Sequence, residues 1–379
     1  MIEKTIKFIK QLYNTDNFIA LHSPVFIGNE KKYLNDCIDS TFVSYIGKYV
    51  TKFEEMTAKY TGSNYAIAVV NGTTALQIAL NLLGVEDGDE VITQPLTFVA
   101  TANAIKHAGG EPVFVDVDID TLGMSPNKLE DFLKKNCEIR NELCYNKYSK
   151  KKIKAIVPMH TFGFPVRIKE IISIANKYHI KLVEDSAESL GSFYEGQHTG
   201  TFGEIGILSY NGNKVITTGG GGIILTNNKD LAQKAKHITT TAKIPHKWEY
   251  VHDMVAYNYR MTNVTAALGV AQMENLNEFL ENKRKTAEQY DKFFTNSEYR
   301  LIKSPLNVIT NNWLNTIQVS NKIVRDEFLE KTNNVGIMTR PVWQLMNKLE
   351  MFKNCFKGNL DNSVWLADRL VNIPSGFRK

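Results

Sequence analysis

Short apolar runs alternate with amphipathic helical patterns through the first two-thirds of the chain. Runs of this kind suit strands that are buried on both faces, and the segments between them carry apolar residues at helical spacing. Repeated short strands with helical crossovers predict an α/β fold with a mostly parallel sheet covered on both faces. The predicted strands are 65–70, 90–93, 111–117, 153–159, 180–184 and 222–226, and the predicted helices are 29–40, 49–60, 96–106, 125–135, 168–178 and 228–237.

The two ends of the chain follow a different pattern. Residues 1–13 predict a short amphipathic helix, and 263–294 predict one long helix that links two domains. Beyond it, mixed strand and helix patterns predict a smaller α+β C-terminal domain. Residues 134–154 have no clear period and are interpreted as a solvated surface insertion. The predicted units are an N-terminal arm (1–20), a large domain (21–262), and a linking helix with the small domain (263–379).

Composition narrows the possible classes of protein. The chain has 379 residues, 43% of them apolar, which is enough for sizeable cores in two domains. The net charge of +5 is mild, and no basic stripe interleaved with aromatic residues indicates nucleic-acid binding. No apolar run has the length of a membrane span. The four cysteines lack metal-binding spacing, so we expect no metal site, no disulfide framework and a cytoplasmic location.

Lys214 stands in a polar turn at the end of a short apolar run. Ser209 lies five residues before it, and a run of glycines, 219–222, follows. A lysine among backbone donors and near other groups can lose its proton and act as an amine nucleophile. The chemistry that most often needs such a lysine is a Schiff base to pyridoxal phosphate. The alternative is a surface lysine in a turn, so the choice depends on the rest of the chain.

A Gly-Thr turn follows the first predicted strand, at Gly72 and Thr73, and a helical pattern follows the turn. The free N–H groups and the dipole of a helix N-terminus favour an anion such as phosphate. The alternative is a plain threonine N-cap.

Acidic and aromatic residues occur near other predicted strand ends. Asp185 could keep a pyridinium nitrogen protonated, and Glu184 is the alternative candidate for this role. Asp185 could instead be an N-cap or a solvated strand end. Phe98 could stack on a flat aromatic ring or belong to the core. His160 could line the same edge of the sheet or be structural. In parallel sheets, ligands bind at the carboxyl ends of the strands.

The order of these features is more specific than any one of them. A phosphate turn, an aromatic residue at a helix start, a strand-end aspartate and a lysine turn before a glycine run would supply every contact that pyridoxal phosphate needs. A nicotinamide site fits poorly, because the glycines at 219–222 lack the GxGxxG spacing.

Two sets of stretches are characteristic of known proteins. The first set is VNGTTAL (70–76), TFVATANA (97–104), VFVDVD (113–118), 183–191, 209–222 and YNYR (257–260), and the second is PMHTFG (158–163), TTTAKIPH (239–246) and TRPVW (339–343). In the first set the chain resembles the DegT/StrS-type sugar aminotransferases, which have the aspartate aminotransferase fold and use pyridoxal phosphate. In the second set it resembles one branch of that family, the C4 aminotransferases of bacillosamine and legionaminic acid biosynthesis. The resemblance implies a fold type I enzyme with a seven-stranded, mostly parallel sheet and a small C-terminal domain.

The resemblance also implies a role for each matching residue. Lys214 would carry the Schiff base and shuttle the proton, and Asp185 would hold the pyridinium. Glu188 would face the ring hydroxyl, where the family often has glutamine or histidine. Asn258 would reach the phosphate bound by a neighbouring subunit, so the site would need a homodimer. The remaining implied roles are ring stacking by Phe98, phosphate binding by Gly72, Thr73 and Ser209, and substrate binding by His160, Tyr257 and Arg260, with Arg260 on the donor carboxylate.

The implied reaction is a ping-pong transamination. L-glutamate would give its amino group and leave as 2-oxoglutarate, and the acceptor would be the C4 ketone of a nucleotide-linked 4-keto-6-deoxy sugar. The sugar would carry a 2-acetamido group, with UDP as the favoured nucleotide, and would serve surface-glycan biosynthesis. The alternatives are a C3 aminotransferase, a pyridoxal-phosphate-dependent sugar dehydratase and a non-catalytic regulator. Dehydratases of the family replace the lysine, which is present here.

Overall fold

The computed structural model describes residues 1–305 and 307–378. The helices are α1 (Ile2–Tyr13), α2 (Glu30–Asp39), α3 (Lys48–Thr61), α4 (Gly72–Leu82), α5 (Val99–His107), α6 (Pro126–Asn136), α7 (Ile168–Lys177), α8 (Lys229–Thr239), α9 (Asn263–Glu274), α10 (Leu276–Phe294), α11 (Lys322–Asn334) and α12 (Asp361–Ala367). The strands are β1 (Tyr65–Val69), β2 (Glu90–Thr93), β3 (Glu111–Phe114), β4 (Cys137–Arg140), β5 (Leu143–Asn146), β6 (Ile153–Val157), β7 (Lys181–Asp185), β8 (Phe193–Tyr194), β9 (Gln197–His198), β10 (Ile205–Ser209), β11 (Gly222–Thr226), β12 (Lys243–Ile244), β13 (Val251–His252), β14 (Arg300–Leu301), β15 (Val308–Ile309), β16 (Asn315–Gln318), β17 (Arg340–Pro341) and β18 (Leu370–Ile373).

A seven-stranded sheet in the order β1-β11-β10-β7-β6-β2-β3 forms the centre of the molecule. Only β11 runs antiparallel to its neighbours. The predicted α/β fold with a mostly parallel seven-stranded sheet is therefore confirmed. Because the parallel strands share a direction, the residues that follow β1, β7 and β10 meet at one edge.

The sheet is covered on both faces, which explains its continuous apolar strands. In β6, Ala155 and Val157 join one buried cluster, while Ile156 joins the cluster on the opposite face. The first cluster includes apolar residues of α4, α5 and α8, and the second includes residues of α6 and α7.

The predicted long helix 263–294 is wrong in one respect, because it is two helices. Asn275 separates α9 from α10 with φ −108° and ψ 7°. Its side-chain Nδ2 donates to the Ala271 carbonyl at 3.0 Å. Asparagine side chains compete in this way for backbone groups and weaken helix continuity.

The interpretation of 134–154 as a solvated insertion is also wrong in part. Strands β4 and β5 form an antiparallel hairpin within it. Cys137 and Cys144 are buried in the same cluster as α6 and α7. Asn146, also buried, donates to Glu90 Oε2 at 2.9 Å. Strands of four residues are too short to show a readable alternation in the sequence.

The C-terminal part contains a four-stranded sheet in the order β14-β16-β18-β17. Helix α12 ends at Ala367, and β18 begins three residues later at Leu370. One buried cluster joins Ile6 and Ile9 of α1 to Phe328 of α11 and Val371 of β18. Helix α1 therefore packs on the C-terminal part, and the division at residues 20 and 262 stays a prediction. Within 1–305 and 307–378, no helix has both the length and the apolar character to cross a membrane.

Candidate active site

A cavity of about 410 Å³ lies at the carboxyl edge of the central sheet. It brings together residues that follow β1, β7 and β10 and the start of α5, although these are far apart in sequence. The predicted residues that line it are Gly72, Thr73, Phe98, Asp185, Glu188, Ser209 and Lys214.

One wall of the cavity is an anion cradle at the start of α4. The side chain of Asn71 accepts from the Thr74 N–H at 2.8 Å, so the cap is Asn71 and not a threonine. The first amides of a helix have no carbonyl partner within the helix, and those of Gly72 and Thr73 stand at the cavity. A Cβ added to Gly72 would lie 3.1 Å from Ser209 Cβ, so glycine permits the close approach of α4 to the end of β10.

Asp185 ends β7 and is 2% exposed. Thr101 donates its hydroxyl proton to Oδ2 at 2.7 Å, and the Ala187 N–H donates to Oδ1 at 3.2 Å. Burial raises the pKa of the Asp185 carboxyl, and a cation bound beside it would favour its ionised form. A protonated ring nitrogen is such a cation.

Glu184, the rival of Asp185, points to the other face of the sheet, as the alternation of strand side chains requires. It accepts N–H groups of Gly200 and Gly203, each at 2.8 Å, and it contacts His160 Nε2 at 3.1 Å. Glu184 is fully buried by these contacts and does not line the cavity.

Lys214 reaches into the cavity from the turn after β10. Its Nζ lies 3.2 Å from Glu188 Oε1 and 4.1 Å from the centroid of the Trp313 ring. The second oxygen of Glu188 accepts the Phe162 N–H at 2.8 Å. Burial raises the pKa of Glu188 to about 7, and the neighbouring Lys214 opposes the rise. Glu188 can therefore exchange a proton near neutral pH.

Glu188 should make the stability of the cofactor-free protein depend on pH. Its pKa is raised above the ordinary 4.5, so the folded state holds a proton that the unfolded chain has lost. The free energy of unfolding should fall as pH rises from about 5 to 8, by roughly 2–3 kcal/mol from this group. Urea unfolding at both pH values should show that Glu188→Gln removes this component. The exposed control Glu55→Gln should keep the wild-type pH dependence, and an unchanged dependence in Glu188→Gln would refute the assignment.

Phe98 stands at the mouth of the cavity in an extended conformation, immediately before α5. The helix begins at Val99 and not at Leu96 as predicted. Phe98 is 48% exposed, so it is not a core residue, and its ring is 6.2 Å from that of Trp343 between centroids. One face of the ring is available for stacking on a planar ligand.

His160 is not placed to bind a substrate, which corrects that prediction. It is fully buried and does not line the cavity. Its Nδ1 accepts the Val166 N–H at 3.2 Å, so the ring proton is on Nε2 and is donated to Glu184. This histidine connects β6 and β7 beneath the site.

The YNYR stretch lies outside the cavity of its own chain. Tyr257 accepts from Asn81 Nδ2 at 3.2 Å through its hydroxyl group, and Arg260 pairs with Glu54 at 2.7 Å. Asn258 is exposed at the surface. The roles predicted for these three residues therefore need either a second subunit or a different conformation, and they stay predictions.

Among the lining residues that were not predicted, three contact predicted site residues through their side chains: Thr101, Trp313 and Trp343. Thr101 follows Phe98 by nearly one helical turn, a spacing that could have indicated it. Both tryptophans come from the C-terminal part. Trp343 ends the TRPVW stretch that carries the branch resemblance, whereas nothing near Trp313 in the sequence connects it with Lys214.

Pyridoxal phosphate fits this donor set. The cradle of Gly72, Thr73 and Ser209 can hold the phosphate, Phe98 can cover the ring, and Asp185 can pair with the ring nitrogen. Lys214 is the amine that lines the same cavity.

Comparison with known proteins gives a consistent result over almost the whole chain. Residues 26–378 match the model of the DegT/DnrJ/EryC1/StrS aminotransferase family. The chain is 37% identical over 360 residues to a GDP-perosamine synthase of Escherichia coli O157:H7, covering 94% of each. It is 34% identical over 362 residues to the GDP-perosamine synthase of Vibrio cholerae, again covering 94% of each.

Solved structures show the same fold. A DegT DnrJ EryC1 StrS aminotransferase from Brucella abortus superposes with a TM-score of 0.84 at 25% identity, covering 92% of this chain and 90% of that one. PseC of Helicobacter pylori, an aminotransferase involved in the biosynthesis of pseudoaminic acid, superposes with a TM-score of 0.85 at 23% identity, covering 94% of each chain. With the cavity and its lysine, these matches show that the chain belongs to the DegT/DnrJ/EryC1/StrS aminotransferase family and is a pyridoxal-phosphate-dependent sugar aminotransferase.

Proposed function

We propose that this enzyme transfers the amino group of L-glutamate to the C4 ketone of a nucleotide-linked 4-keto-6-deoxy sugar. The observation that carries the proposal is the single cavity lined by an amine, Lys214, a buried carboxylate, Asp185, and an anion cradle. Such a site supports proton transfer at carbon next to a group that withdraws electrons.

The cofactor, when bound, supplies the electrophilic carbon and the electron-accepting ring. Asp185 keeps the ring nitrogen protonated, and Thr101 orients Asp185. The freed Lys214 Nζ takes the proton from Cα of L-glutamate in the first half-reaction. In the second half-reaction the same Nζ mediates the proton transfer that completes the new amine at sugar C4. Because Glu188 is buried beside Lys214, it can stabilise either protonation state of the amine.

Two observations bear on the nucleotide of the sugar substrate. The branch resemblance favours UDP and a 2-acetamido sugar, while three relatives are named for a GDP-linked sugar. Assays with GDP-, UDP- and dTDP-linked 4-keto sugars side by side would identify the nucleotide. C3 amination and dehydration are alternatives that analysis of the product would reveal.

The decisive experiment is absorption spectroscopy of the purified protein. The holoenzyme should show a visible band that L-glutamate bleaches, and a 4-keto nucleotide sugar should restore the band. Mass spectrometry and NMR of the product should then locate the new amine at C4. A band that glutamate leaves unchanged would exclude glutamate as donor, and an amine at C3 would refute the proposed position.

We further propose that the enzyme is a homodimer with shared active sites. Asn258 lies on the surface of its own chain, and it follows by three residues a segment, 243–255, that contains exposed apolar residues. Within that segment, Trp248 is 74% exposed, Tyr250 80% and Val255 100%. Exposed apolar clusters of this kind are typical of protein–protein interfaces.

Val255→Asp should dissociate the dimer and weaken cofactor binding. A charge placed in an apolar interface costs several kcal/mol when it is left unpaired. Light scattering after gel filtration should show a monomer at micromolar concentration. Ile323→Asp, at another apolar residue that is 80% exposed, should stay dimeric. A dimer in both variants would show that Val255 is not at the interface.

A further inference from the structure

Trp313 belongs to the C-terminal part of the chain, yet its ring covers the amine of Lys214. The distance from Lys214 Nζ to the ring centroid is 4.1 Å. Trp313 is 3% exposed, and the lysine side chain is 13% exposed. The contact is therefore shielded from solvent, where attraction between a cation and an aromatic face is strongest.

Trp313 is held in this position by hydrogen bonds of both its indole and its backbone. Its Nε1–H donates to the carbonyl of Asn213, the residue before Lys214, at 2.6 Å. Its backbone N–H donates to Asn311 Oδ1 at 2.9 Å, and Asn311 in turn donates to the Glu188 carbonyl at 2.8 Å. The indole, the lysine turn and the Glu188 segment thus form one connected unit.

Lys283 on α10 holds the backbone of Trp313 from behind. Its Nζ donates to the carbonyls of Trp313 at 3.3 Å and Ser375 at 2.8 Å. Lys283 is 2% exposed, and burial lowers its pKa to about 7. Burial and the charges of Lys283 and Lys214 lower the pKa of the nearby His22 well below its ordinary value, and its Nδ1 has no hydrogen-bond partner among the described residues.

We propose that Trp313 is a further catalytic residue, whose ring stabilises the protonated amine of Lys214, and that Lys283 is its positioning residue. The proposal rests on the role assigned to Lys214 above. When Nζ takes a proton from substrate carbon, the C–H bond breaks, the N–H bond forms, and the new ammonium lies against the ring. The proton is given up again in the same turnover, so no other reactant is required.

The test measures the protonation of Lys214 in the cofactor-free protein, by competitive labelling of lysines with acetic anhydride and mass spectrometry at a series of pH values. In Trp313→Leu, the pH midpoint of Lys214 labelling should fall by about half to one unit, because the ammonium loses the ring. Trp313→Phe, which keeps a smaller ring, should give a smaller fall. A change in the access of acetic anhydride to Lys214 alters the extent of labelling but leaves its pH midpoint unchanged.

If Trp313 only fills space, its removal should change the pH midpoint of Lys214 labelling in the opposite direction. If the indole only excluded water, its removal would hydrate the amine and raise the midpoint. Trp343→Leu is the matched control, because Trp343 lines the same cavity but packs against Phe98 and Phe162. It should leave the midpoint unchanged. A rise, or no change, in both Trp313 variants would overturn the proposal, as would an equal fall in Trp343→Leu.

Lys283→Met should lower the pH midpoint of Lys214 labelling by part of the change seen in Trp313→Leu, because the Trp313 carbonyl would lose its hydrogen-bond donor. Lys283→Arg keeps a donor and should have the wild-type midpoint. No fall in Lys283→Met would remove Lys283 from the proposal. These outcomes are independent of the proposed transamination. That function fails if Lys214→Ala remains active, whereas the role of Trp313 fails on the labelling midpoint alone.

Discussion

Lys214→Ala is expected to abolish transamination, with a loss of at least about 10⁴-fold in kcat. The amine both binds the cofactor and moves the proton at substrate carbon, and no other lysine lines the cavity within the described part of the chain. Product formation from L-glutamate and a 4-keto nucleotide sugar, followed by mass spectrometry, measures the loss. The fold should persist, because Lys214 is at the cavity and not in a core cluster.

The matched control for this prediction is Lys285→Ala. Lys285 is 62% exposed on α10 and does not line the cavity, so its removal should leave activity unchanged. Turnover of Lys214→Ala near the wild-type rate would refute both the assignment of the lysine and the proposed mechanism.

Asp185→Asn should have the second largest effect, a loss of about 10² to 10³-fold in the glutamate half-reaction. The amide has nearly the same shape as the carboxyl group but cannot hold a proton on the ring nitrogen by charge. The bleaching rate of the visible band after L-glutamate addition, followed by stopped-flow absorption, measures the loss.

Thr101→Val distinguishes the effect of the charge of Asp185 from the effect of the orientation of its carboxylate. It removes the hydroxyl donor to Asp185 Oδ2 but keeps the carboxylate, so a loss of about 10-fold is expected. Equal losses in Asp185→Asn and Thr101→Val would show that the charge of Asp185 is not what the reaction requires.

The C-terminal part contributes side chains to the cavity that contains Lys214, although Lys214 itself follows a strand of the central sheet. Trp313 and Trp343 enter the cavity from segments beside β16 and β17. A movement of the C-terminal part relative to the sheet would therefore change the surroundings of the amine directly. The hydrogen bonds of Asn311 to the carbonyls of Glu188 and Leu190 restrain such movement.

Several features of the site could be predicted from the sequence because they depend on neighbours in the chain. Gly72, Asp185 and Lys214 each follow a short apolar strand, and parallel strands bring their carboxyl ends to one edge. The sheet itself was predictable because burial on both faces requires continuous apolar runs. The resemblance to a known family then connected these residues with one cofactor.

Other features were decided only by the tertiary structure, because they depend on contacts between distant segments. The sequence by itself allowed His160 to face the substrate or the core, and the pairing with Glu184 placed it in the core. The sequence pattern predicts one continuous helix over 263–294. In the structure it is divided at Asn275, whose side chain donates a hydrogen bond to the Ala271 carbonyl. In the sequence, Trp313 is a tryptophan in a polar segment with no link to Lys214. Hydrogen bonds to the distant residues Lys283 and Asn213 place its ring over the amine. The local pattern thus determined the strands, the turn and the reactive amine, while the surroundings that tune the amine required the folded chain.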